Sequence, residues 1–432
     1  MESQLSRGDF LRRGAGAALA VASAGSLGLR LPAALGARAG ASYTYTAWTF
    51  DNSDSYKNTK KAFVDAGKMV KSAQVDFKMS NLSGSGAALY PSKIQSLIAA
   101  GQPPDTWESW GGSLAKPYLD AHAALALDPW FKKYGWNTKL SAAAISLVSA
   151  GGHPYGVPFN VISIPMFYNK TLFAKAGVTP PKTYDEWEKT NDALTKAGIQ
   201  AYTQGGIYGW DVMRLFEHLL ETTAGPTLHD QLLAFHTGWN KPQVVEAFAL
   251  LKKWGDNWLP KGFIGMNPND ATLLFTSGKA AQNLEGGWIV DQIKGAGSNP
   301  ADYDYFVPPD DKGPARMAGF VQQYIVSNKL SGAKLDALGQ FFNAFVSPTI
   351  QQKYLINGST ATKNGVPANG EPLLAKYMKT TLTSKLYLIQ DQVMSPKLAN
   401  AYFALQADVA NGKITPKAAA AKMDTAVNKY KA

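Results

Sequence analysis

The sequence predicts an α/β protein with two domains. The chain has 432 residues, of which 45% are hydrophobic, and this length exceeds the size at which a single hydrophobic core usually stops growing. Strand-like and helical patterns alternate from residue 43 onward, an order that is typical of a mainly parallel sheet covered by helices. Aromatic and β-branched residues continue to the end of the chain, so no long disordered tract is expected.

The first alternation lies between residues 43 and 109. Residues 43–50 alternate and are rich in Tyr and Thr, which predicts a strand. Helical spacing follows over 55–70, a second strand over 75–79, a helix over 89–100 and a third strand over 106–109. This order predicts one α/β lobe.

The later part of the chain shows the same alternation. Residues 145–149 and 155–159 flank a Gly-Gly pair and predict a hairpin, and 205–211 reads as a glycine-rich loop. The remaining predicted strands are 161–168 and 280–284. The predicted helices are 183–197, 242–258, 271–275, 335–345, 348–356 and 397–410.

The N-terminus reads as an export signal over residues 1–41. A basic stretch, S-R-G-D-F-L-R-R at 6–13, precedes an Ala-, Gly- and Leu-rich run at 14–29 and small residues at 37–41. The order resembles a degenerate twin-arginine signal, in which Gly8 stands where the second arginine would be. A signal of the general secretory type is the alternative, and either one predicts a periplasmic or cell-surface protein.

Composition excludes several classes of function. The chain has no cysteine, which excludes disulfides, thiolate-held metals and an anchor on a lipid-modified cysteine. The net charge is +11, but beyond residue 41 the only arginines are Arg214 and Arg316. Because arginine is preferred for contacts to phosphates and bases, a nucleic-acid partner is not expected. The five histidines form no recognised metal motif, so we expect neither a metal nor a cofactor.

Four segments carry a family resemblance. Residues 155–177 read Y-G-V-P-F-N-V-I-S-I-P-M-F-Y-N-K-T-L-F-A-K-A-G and continue at 180–187 as P-P-K-T-Y-D-E-W. Residues 274–288 end F-T-S-G-K-A-A-Q-N-L-E-G-G-W, 339–352 run into S-P-T-I-Q-Q, and 409–420 read V-A-N-G-K-I-T-P-K-A-A-A. In this order they resemble the family-1 extracellular solute-binding proteins, the group that includes maltose-binding protein.

The resemblance implies a two-lobed periplasmic-binding-protein fold of type II. Three hinge crossings are expected near Asn160, Gly295 and Asn328. The N-terminal lobe would comprise residues 42–160 and 296–328, and the C-terminal lobe residues 161–295 and 329–432. The resemblance also implies a monomer that closes on a carbohydrate. It further implies an ABC transporter whose membrane permease subunits receive that ligand.

A sugar site requires aromatic rings for the C–H faces and polar groups for the hydroxyls. Trp288 is the first candidate, because it follows Gly286 and Gly287 in a turn that resembles the family's G-x-W turn. Glu108 and Trp110 follow the third strand in T-W-E-S-W-G-G, where a carboxylate beside a tryptophan suits a sugar rim. Trp107, Trp254 and Trp258 are expected in the core instead.

The other candidates lie at strand ends, crossings and loops. They are Asp51, Asn52, Asn160, Tyr208, Trp210 and Gln323. Helix capping is an equal interpretation for Asp51 and Asn52, and a hinge role is the alternative for Asn160. One of Gln322 and Gln323 should point into the cleft, because neighbouring strand residues face opposite sides.

Two other functions remain open. The same fold could bind a non-sugar solute such as a polyamine or a metal complex, which would require clustered carboxylates or tyrosine ligands. A glycoside-active enzyme would require two converging carboxylates, for which Asp51, Glu108 and Glu285 are the candidates. No nucleophile motif is visible in the sequence, so we expect a binding protein without catalytic activity.

Overall fold

The computed structural model describes residues 40–50, 53–82, 89–368 and 370–430. The predicted export signal therefore lies outside the described residues except for its last two positions. Within the described ranges, none of the helices has both the length and the apolar composition that a membrane crossing requires.

The described residues form eleven strands. They are β1 (Ser42–Thr49), β2 (Gln74–Asn81), β3 (Thr106–Trp110), β4 (Ser149–Ala150), β5 (His153–Pro154), β6 (Gly156–Ser163), β7 (Met166–Asn169), β8 (Gln282–Leu284), β9 (Tyr303–Phe306), β10 (Met317–Val326) and β11 (Leu386–Leu388).

The same part of the chain forms seventeen α-helices. They are α1 (Ser53–Lys68), α2 (Tyr90–Ala99), α3 (Lys116–Asp120), α4 (Asp128–Tyr134), α5 (Trp136–Lys139), α6 (Ala142–Leu147), α7 (Lys170–Ala176), α8 (Tyr184–Lys196), α9 (Trp210–Leu233), α10 (Pro242–Asn257), α11 (Pro268–Thr276), α12 (Ile289–Gly295), α13 (Gly332–Phe345), α14 (Pro348–Tyr354), α15 (Pro372–Thr383), α16 (Pro396–Ala410) and α17 (Pro416–Tyr430).

Two main sheets organise these elements. The larger has the order β11-β10-β3-β1-β2, with β6 also pairing with β10. Strands β1, β2 and β3 run parallel, as the alternation with α1 and α2 predicts, whereas β10 is antiparallel to both β3 and β6. The smaller sheet has the order β8-β7-β9, and its neighbouring strands are antiparallel. The predicted α/β class is confirmed.

The first core lies between the larger sheet and helices α1 and α13. Phe63 of α1 packs at ring-centre distances of 4.8 Å from Phe77, 5.2 Å from Tyr324, 5.0 Å from Phe341 and 5.1 Å from Phe345. These aromatic rings exclude water from the interior of this part of the fold.

The second core is built mostly from helices α9, α10, α16 and α17. It contains Trp187, Trp239, Trp254 and Trp258, each at most 2% exposed. The expectation that Trp254 and Trp258 are core residues is therefore confirmed. Trp107 is also fully buried, in a smaller cluster beside β3.

Two local predictions need correction. The first arm of the predicted hairpin is mostly helix α6, because Ser141 caps it by accepting a hydrogen bond from the amide of Ala144. The hairpin itself consists only of β4 and β5. The predicted loop at 205–211 ends earlier than expected, since α9 begins at Trp210.

Candidate functional site

The candidate site is a cavity of about 410 Å³, within the range of small-molecule pockets. Its walls come from the end of β3, the start of α9, the turn between β8 and α12, the middle of β10 and residues 389–403. The aromatic residues of the wall are Phe50, Trp110, Tyr208, Trp210, Trp288, Phe320 and Phe403. Its polar residues include Arg214, Asn269, Glu285, Gln322, Asn357 and Asp391.

The turn before α12 determines where the Trp288 ring lies. A Cβ atom on Gly286 would lie 2.4 Å from the indole ring of Trp288, so only glycine leaves room for the ring to fold back over the turn. The indole Nε1 donates to Glu285 Oε2 over 2.9 Å. Gly286 thus makes space for the tryptophan, and the glutamate fixes its direction.

The loop before α9 presents Tyr208 and Trp210. Gly209 between them has a φ of 78°, and a Cβ there would lie 2.4 Å from the side chain of Phe403. A residue with a side chain would be both strained and crowded at this position. The loop can therefore approach α16 closely while both aromatic residues reach the cavity.

Trp110 ends β3 on the opposite wall. Its ring lies 5.1 Å from that of Phe50 and makes an edge contact with Tyr90 at 6.3 Å. These ring contacts hold the Trp110 side chain at the cavity.

A buried ionic cluster lies behind the tryptophans. Arg214 Nη1 donates to Glu285 Oε2 over 2.8 Å and to Asp211 Oδ1 over 3.2 Å. The guanidinium carbon is 4.7 Å from the ring centre of Trp210 and 5.4 Å from that of Trp288, so it makes cation–π contacts with both. A single arginine thereby connects two carboxylates and two cavity-lining rings.

The two carboxylates of the cluster have further partners. Asp211 Oδ2 accepts from the amide of Gly205 over 2.9 Å, and Oδ1 accepts from Gln204 Nε2 over 2.6 Å. Glu285 Oε1 accepts from the Thr272 hydroxyl over 3.0 Å. Burial raises the pKa of Asp211 to about 7, although the charge of Arg214 opposes this shift.

Asp391 lies on the same cavity, in the short 3-10 helix Gln390–Gln392. Burial raises the pKa of its carboxyl group to about 6, against the opposing charge of Arg214. The Ser113 hydroxyl, which follows β3, lies 3.3 Å from the carbonyl oxygen of Asp391 and 2.6 Å from that of Met394. The backbone at Asp391 is therefore held beside the residues that follow β3.

Four of the predicted site residues lie together on the cavity wall. They are Trp110, Tyr208, Trp210 and Trp288. Asp51 and Asn52 lie outside the described residues. Glu108, Asn160 and Gln323 are buried and do not line the cavity.

Glu108 is used inside the larger sheet. Its Oε2 accepts from the Thr49 hydroxyl over 2.5 Å and from the amide of Phe50 over 2.8 Å, and its Oε1 accepts from Gln322 Nε2 over 3.0 Å. The predicted placement on the sugar rim was wrong, because a carboxylate buried in a sheet needs these donors. Glu108 and Glu285 also do not converge on the cavity.

Gln322 lines the cavity, and Gln323 does not. The side chain of Gln323 lies over Gly156 and donates from Nε2 to the carbonyl of Trp110 over 3.1 Å. Asn160 acts behind the wall, since its Nδ2 donates to Gln322 Oε1 over 2.6 Å. The choice of Gln323 over Gln322 was wrong because these two residues face opposite sides of β10, where the pairing with β6 shifts register.

Sequence reasoning missed Arg214, Asp391 and Phe320 as wall residues, and it weighed Glu285 only for catalysis. One signal was available: Arg214 is one of two arginines beyond the N-terminal region and follows Asp211 at helical spacing. No local pattern marks Asp391 or Phe320. Within the described residues, no group of three His, Asp or Glu side chains is arranged to hold a metal ion.

Comparisons with known proteins match this architecture. The family described as bacterial extracellular solute-binding protein matches residues 54–352. A probable sugar-binding periplasmic protein of Mesorhizobium japonicum is 25% identical over 77% of this chain and 81% of its own length. An uncharacterized ABC transporter extracellular-binding protein of Pyrococcus horikoshii is 24% identical over 84% of this chain and 83% of its own.

Solved structures agree at the level of the fold. The structure of a chitin oligosaccharide binding protein is similar with a TM-score of 0.79 and 25% identity, covering 90% of this chain and 99% of the other. The GacH receptor of Streptomyces glaucescens has a TM-score of 0.71 at 18% identity, covering 90% of this chain and 98% of the other. The two-lobed type II fold is thereby confirmed, and the chain belongs to the bacterial extracellular solute-binding proteins.

Proposed function

We propose that the protein binds a carbohydrate in this cavity outside the cytoplasm and delivers it to the membrane permease of an ABC transporter. The observation that carries the proposal is the wall itself, where Trp110, Trp210 and Trp288 meet around one cavity. Aromatic rings cover the flat C–H faces of a sugar, and the neighbouring amide groups of Gln322 and Asn357 suit its hydroxyls. Several rings on one wall favour an oligosaccharide over a single sugar ring.

The relatives support the same class of ligand. The names of the Mesorhizobium protein and of a maltotriose-binding protein of Pyrococcus abyssi, 25% identical over 47% of this chain and 42% of its own length, refer to sugars. The chemistry of a sugar fits this wall, most of which is uncharged and aromatic. Each of these relatives is a binding protein, so we propose capture without catalytic turnover.

Transport would follow from closure of the two lobes on the ligand. The division predicted from the sequence has the N-terminal lobe at residues 42–160 and 296–328, and the C-terminal lobe at 161–295 and 329–432. We propose one change to it: because α13 packs against α1, residues 332–345 would belong to the N-terminal lobe. The permease would then recognise the closed arrangement of the lobes.

Isothermal titration of the purified protein tests the proposal. The panel contains maltotriose, N-acetylated chitotriose, raffinose, xylotriose, spermidine and a ferric chelate. We expect one sugar series to bind, and Trp288→Ala to weaken that binding by about 30-fold, the loss typical of a buried aromatic anchor. Trp48→Ala is the matched control, because Trp48 does not line the cavity, and it should bind as the wild type does.

Three outcomes would contradict the proposal. Binding of spermidine or the ferric chelate alone would keep the fold and replace the ligand class. Release of shorter sugars beyond one equivalent would make the protein an enzyme. Equal binding by the wild type and Trp288→Ala would place the site elsewhere.

A further inference from the structure

The charges on the cavity wall are unequal. Among the described wall residues, the charged side chains are Arg214, Glu285 and Asp391. Asp211 lies directly behind them on Arg214. When all four groups are ionised, three acids surround one base. When Asp211 and Asp391 are protonated, the base and Glu285 balance, so no protonation state of these carboxylates near neutral pH makes the wall positive.

The charge of Arg214 is already balanced by the protein. Its Nη1 donates to Glu285, Asp211 and the carbonyl of Leu284, and Trp210 and Trp288 lie within cation–π distance of its guanidinium. A ligand carboxylate at this arginine would be a third negative charge beside Asp211 and Glu285. The single cation of the wall therefore gives an anionic ligand no net attraction.

Asp391 has the opposite character. It lines the cavity and its side chain is partly exposed. Its Oδ1 has no hydrogen-bond partner among the described residues. A buried carboxylate oxygen without a partner is costly, so a ligand group that donates to it would be stabilised.

Two further wall oxygens share this property. Oε1 of Gln292 and Oε1 of Gln392 are buried without a hydrogen-bond partner in the described structure. The corresponding unpaired donor on the wall is Nε of Arg214. Among these buried wall atoms, unpaired acceptors outnumber unpaired donors.

We infer that the cavity selects its sugar by charge: it accepts neutral sugars and amino sugars that donate a hydrogen bond to Asp391, and it rejects sugars that carry a carboxylate or a phosphate. This inference rests on the proposed carbohydrate function and narrows it to a substrate class. Hydroxyl and ammonium groups both donate to a carboxylate. An acidic sugar would bring a like charge to Asp391 and Glu285 without gaining a free cation.

Titration with matched sugars tests the inference at pH 7.5. The neutral probes are glucose, galactose and N-acetylated chitotriose. Their acidic counterparts are glucuronate, galacturonate and trigalacturonate, and the amino probes are glucosamine, galactosamine and deacetylated chitotriose. For each neutral probe that binds, we expect the acidic counterpart to bind at least about tenfold more weakly, because like charges at a binding site cost affinity.

The Asp391→Asn variant tests how much the charge of Asp391 by itself contributes to selectivity. The variant keeps the size of the side chain and removes its charge, so neutral and amino probes should bind about tenfold more weakly while the acidic probes lose their disadvantage. Asp408→Asn is the matched control, since Asp408 lies on α16 away from the cavity wall and pairs with Lys413. Thermal unfolding of both variants checks that they remain folded.

The outcomes separate the inference from the proposed function. Tight binding of neutral or amino probes with weak binding of acidic ones supports the inference. An acidic probe that binds as tightly as its neutral counterpart overturns it while leaving a sugar-binding protein. Unchanged selectivity in Asp391→Asn overturns the role of Asp391, and a protein that binds no sugar in either panel fails both proposals.

Discussion

The two cores of the molecule use different chemistry. The core around α1 and α13 is filled with aromatic rings, and its buried carboxylate Glu108 is satisfied by neutral donors. The core around α9 also buries large apolar side chains, yet it contains six buried ionisable residues of that one helix, which are Asp211, Arg214, Glu217, His218, Glu221 and His229. The first core depends on volume, whereas the second also depends on charge pairing.

The difference follows from where the cavity lies. Helix α9 starts at the cavity with Trp210 and continues into the core, so one element carries both wall residues and buried charges. Charged groups near a binding site are tolerated inside a protein only when partners neutralise them. The second core therefore combines apolar packing with ion pairs, and the same helix supports the rings and the charges of the cavity wall.

The largest effect is expected from a cavity in the first core. Phe63→Ala should lower the free energy of unfolding by about 4 kcal/mol, the cost typical of removing a buried phenylalanine ring. Urea denaturation at pH 7 and pH 5 should show the same loss at both values. Val64→Ala is the control, because Val64 is 57% exposed. A loss that changes with pH would contradict the view that the stability of this core depends on packing volume.

The second-largest effect on the free energy of unfolding is expected from removing Arg214, the base of the ionic cluster. Arg214→Gln should cost about 3 kcal/mol, because Asp211 and Glu285 would stay buried without their cation. Adding Asp211→Asn and Glu285→Gln should restore part of that loss in urea denaturation. Lys252→Gln, which breaks an exposed pair with Asp256, should cost almost nothing. A triple variant that is no more stable than the single one would argue against charge pairing.

The third prediction concerns how the free energy of unfolding depends on pH. Burial lowers the pKa of His218 to about 4, below that of an unfolded histidine at about 6.5. The unfolded state therefore takes up a proton first, and the contribution of His218 to stability, which is complete above pH 6.5, is lost as the pH drops toward 4. The raised pKa values of Asp211 and Asp391 act in the opposite direction over the same range. His218 alone should lower the free energy of unfolding by about 2 kcal/mol between pH 7 and pH 5.

The control for that prediction is a second histidine. Between pH 7 and pH 5, the free energy of unfolding of His218→Gln should fall less, or rise more, than that of the wild type by about 2 kcal/mol, even if the variant is less stable at pH 7. His153→Gln should show the same dependence on pH as the wild type, because His153 is 60% exposed beside Asp128. An identical dependence in the wild type and His218→Gln would contradict the role of His218.

The smallest expected effect is on ligand selectivity. Since burial raises the pKa of Asp391 to about 6, its charge predominates above that pH and declines below it. Rejection of galacturonate relative to galactose should therefore weaken by up to about tenfold between pH 8 and pH 5. The Asp391→Asn variant should show a smaller change, which comes from Asp211 behind the wall with its pKa of about 7, and titrations at both pH values compare the two. Selectivity that rises in acid would contradict the assignment.

Much of the fold could be predicted from local pattern. Strand β1 was expected at 43–50 and occurs at Ser42–Thr49, and helix α10 was expected at 242–258 and occurs at Pro242–Asn257. These segments have a clear period and end at turn or cap residues, so the nearest neighbours in the chain suffice to define them.

The candidate site was predicted less completely. Trp110, Trp210 and Trp288 could be found because glycines and strand ends mark them in the sequence. Glu108 and Gln323 were misplaced, because the direction of a strand side chain depends on pairing register. The shift in pairing register between β10 and β6 at Gln322 and Gln323 is not visible in the sequence.

The sequence by itself determined the alternation of strands and helices, the family, and the supply of tryptophans beside glycine-rich turns. Only the tertiary structure decided which of those rings share a wall and which charges support them. Arg214 meets Glu285 across 71 positions of the chain, and Ser113 meets Met394 across 281. Local sequence preferences act over a few residues, whereas a binding wall is assembled from chain segments that only packing brings together.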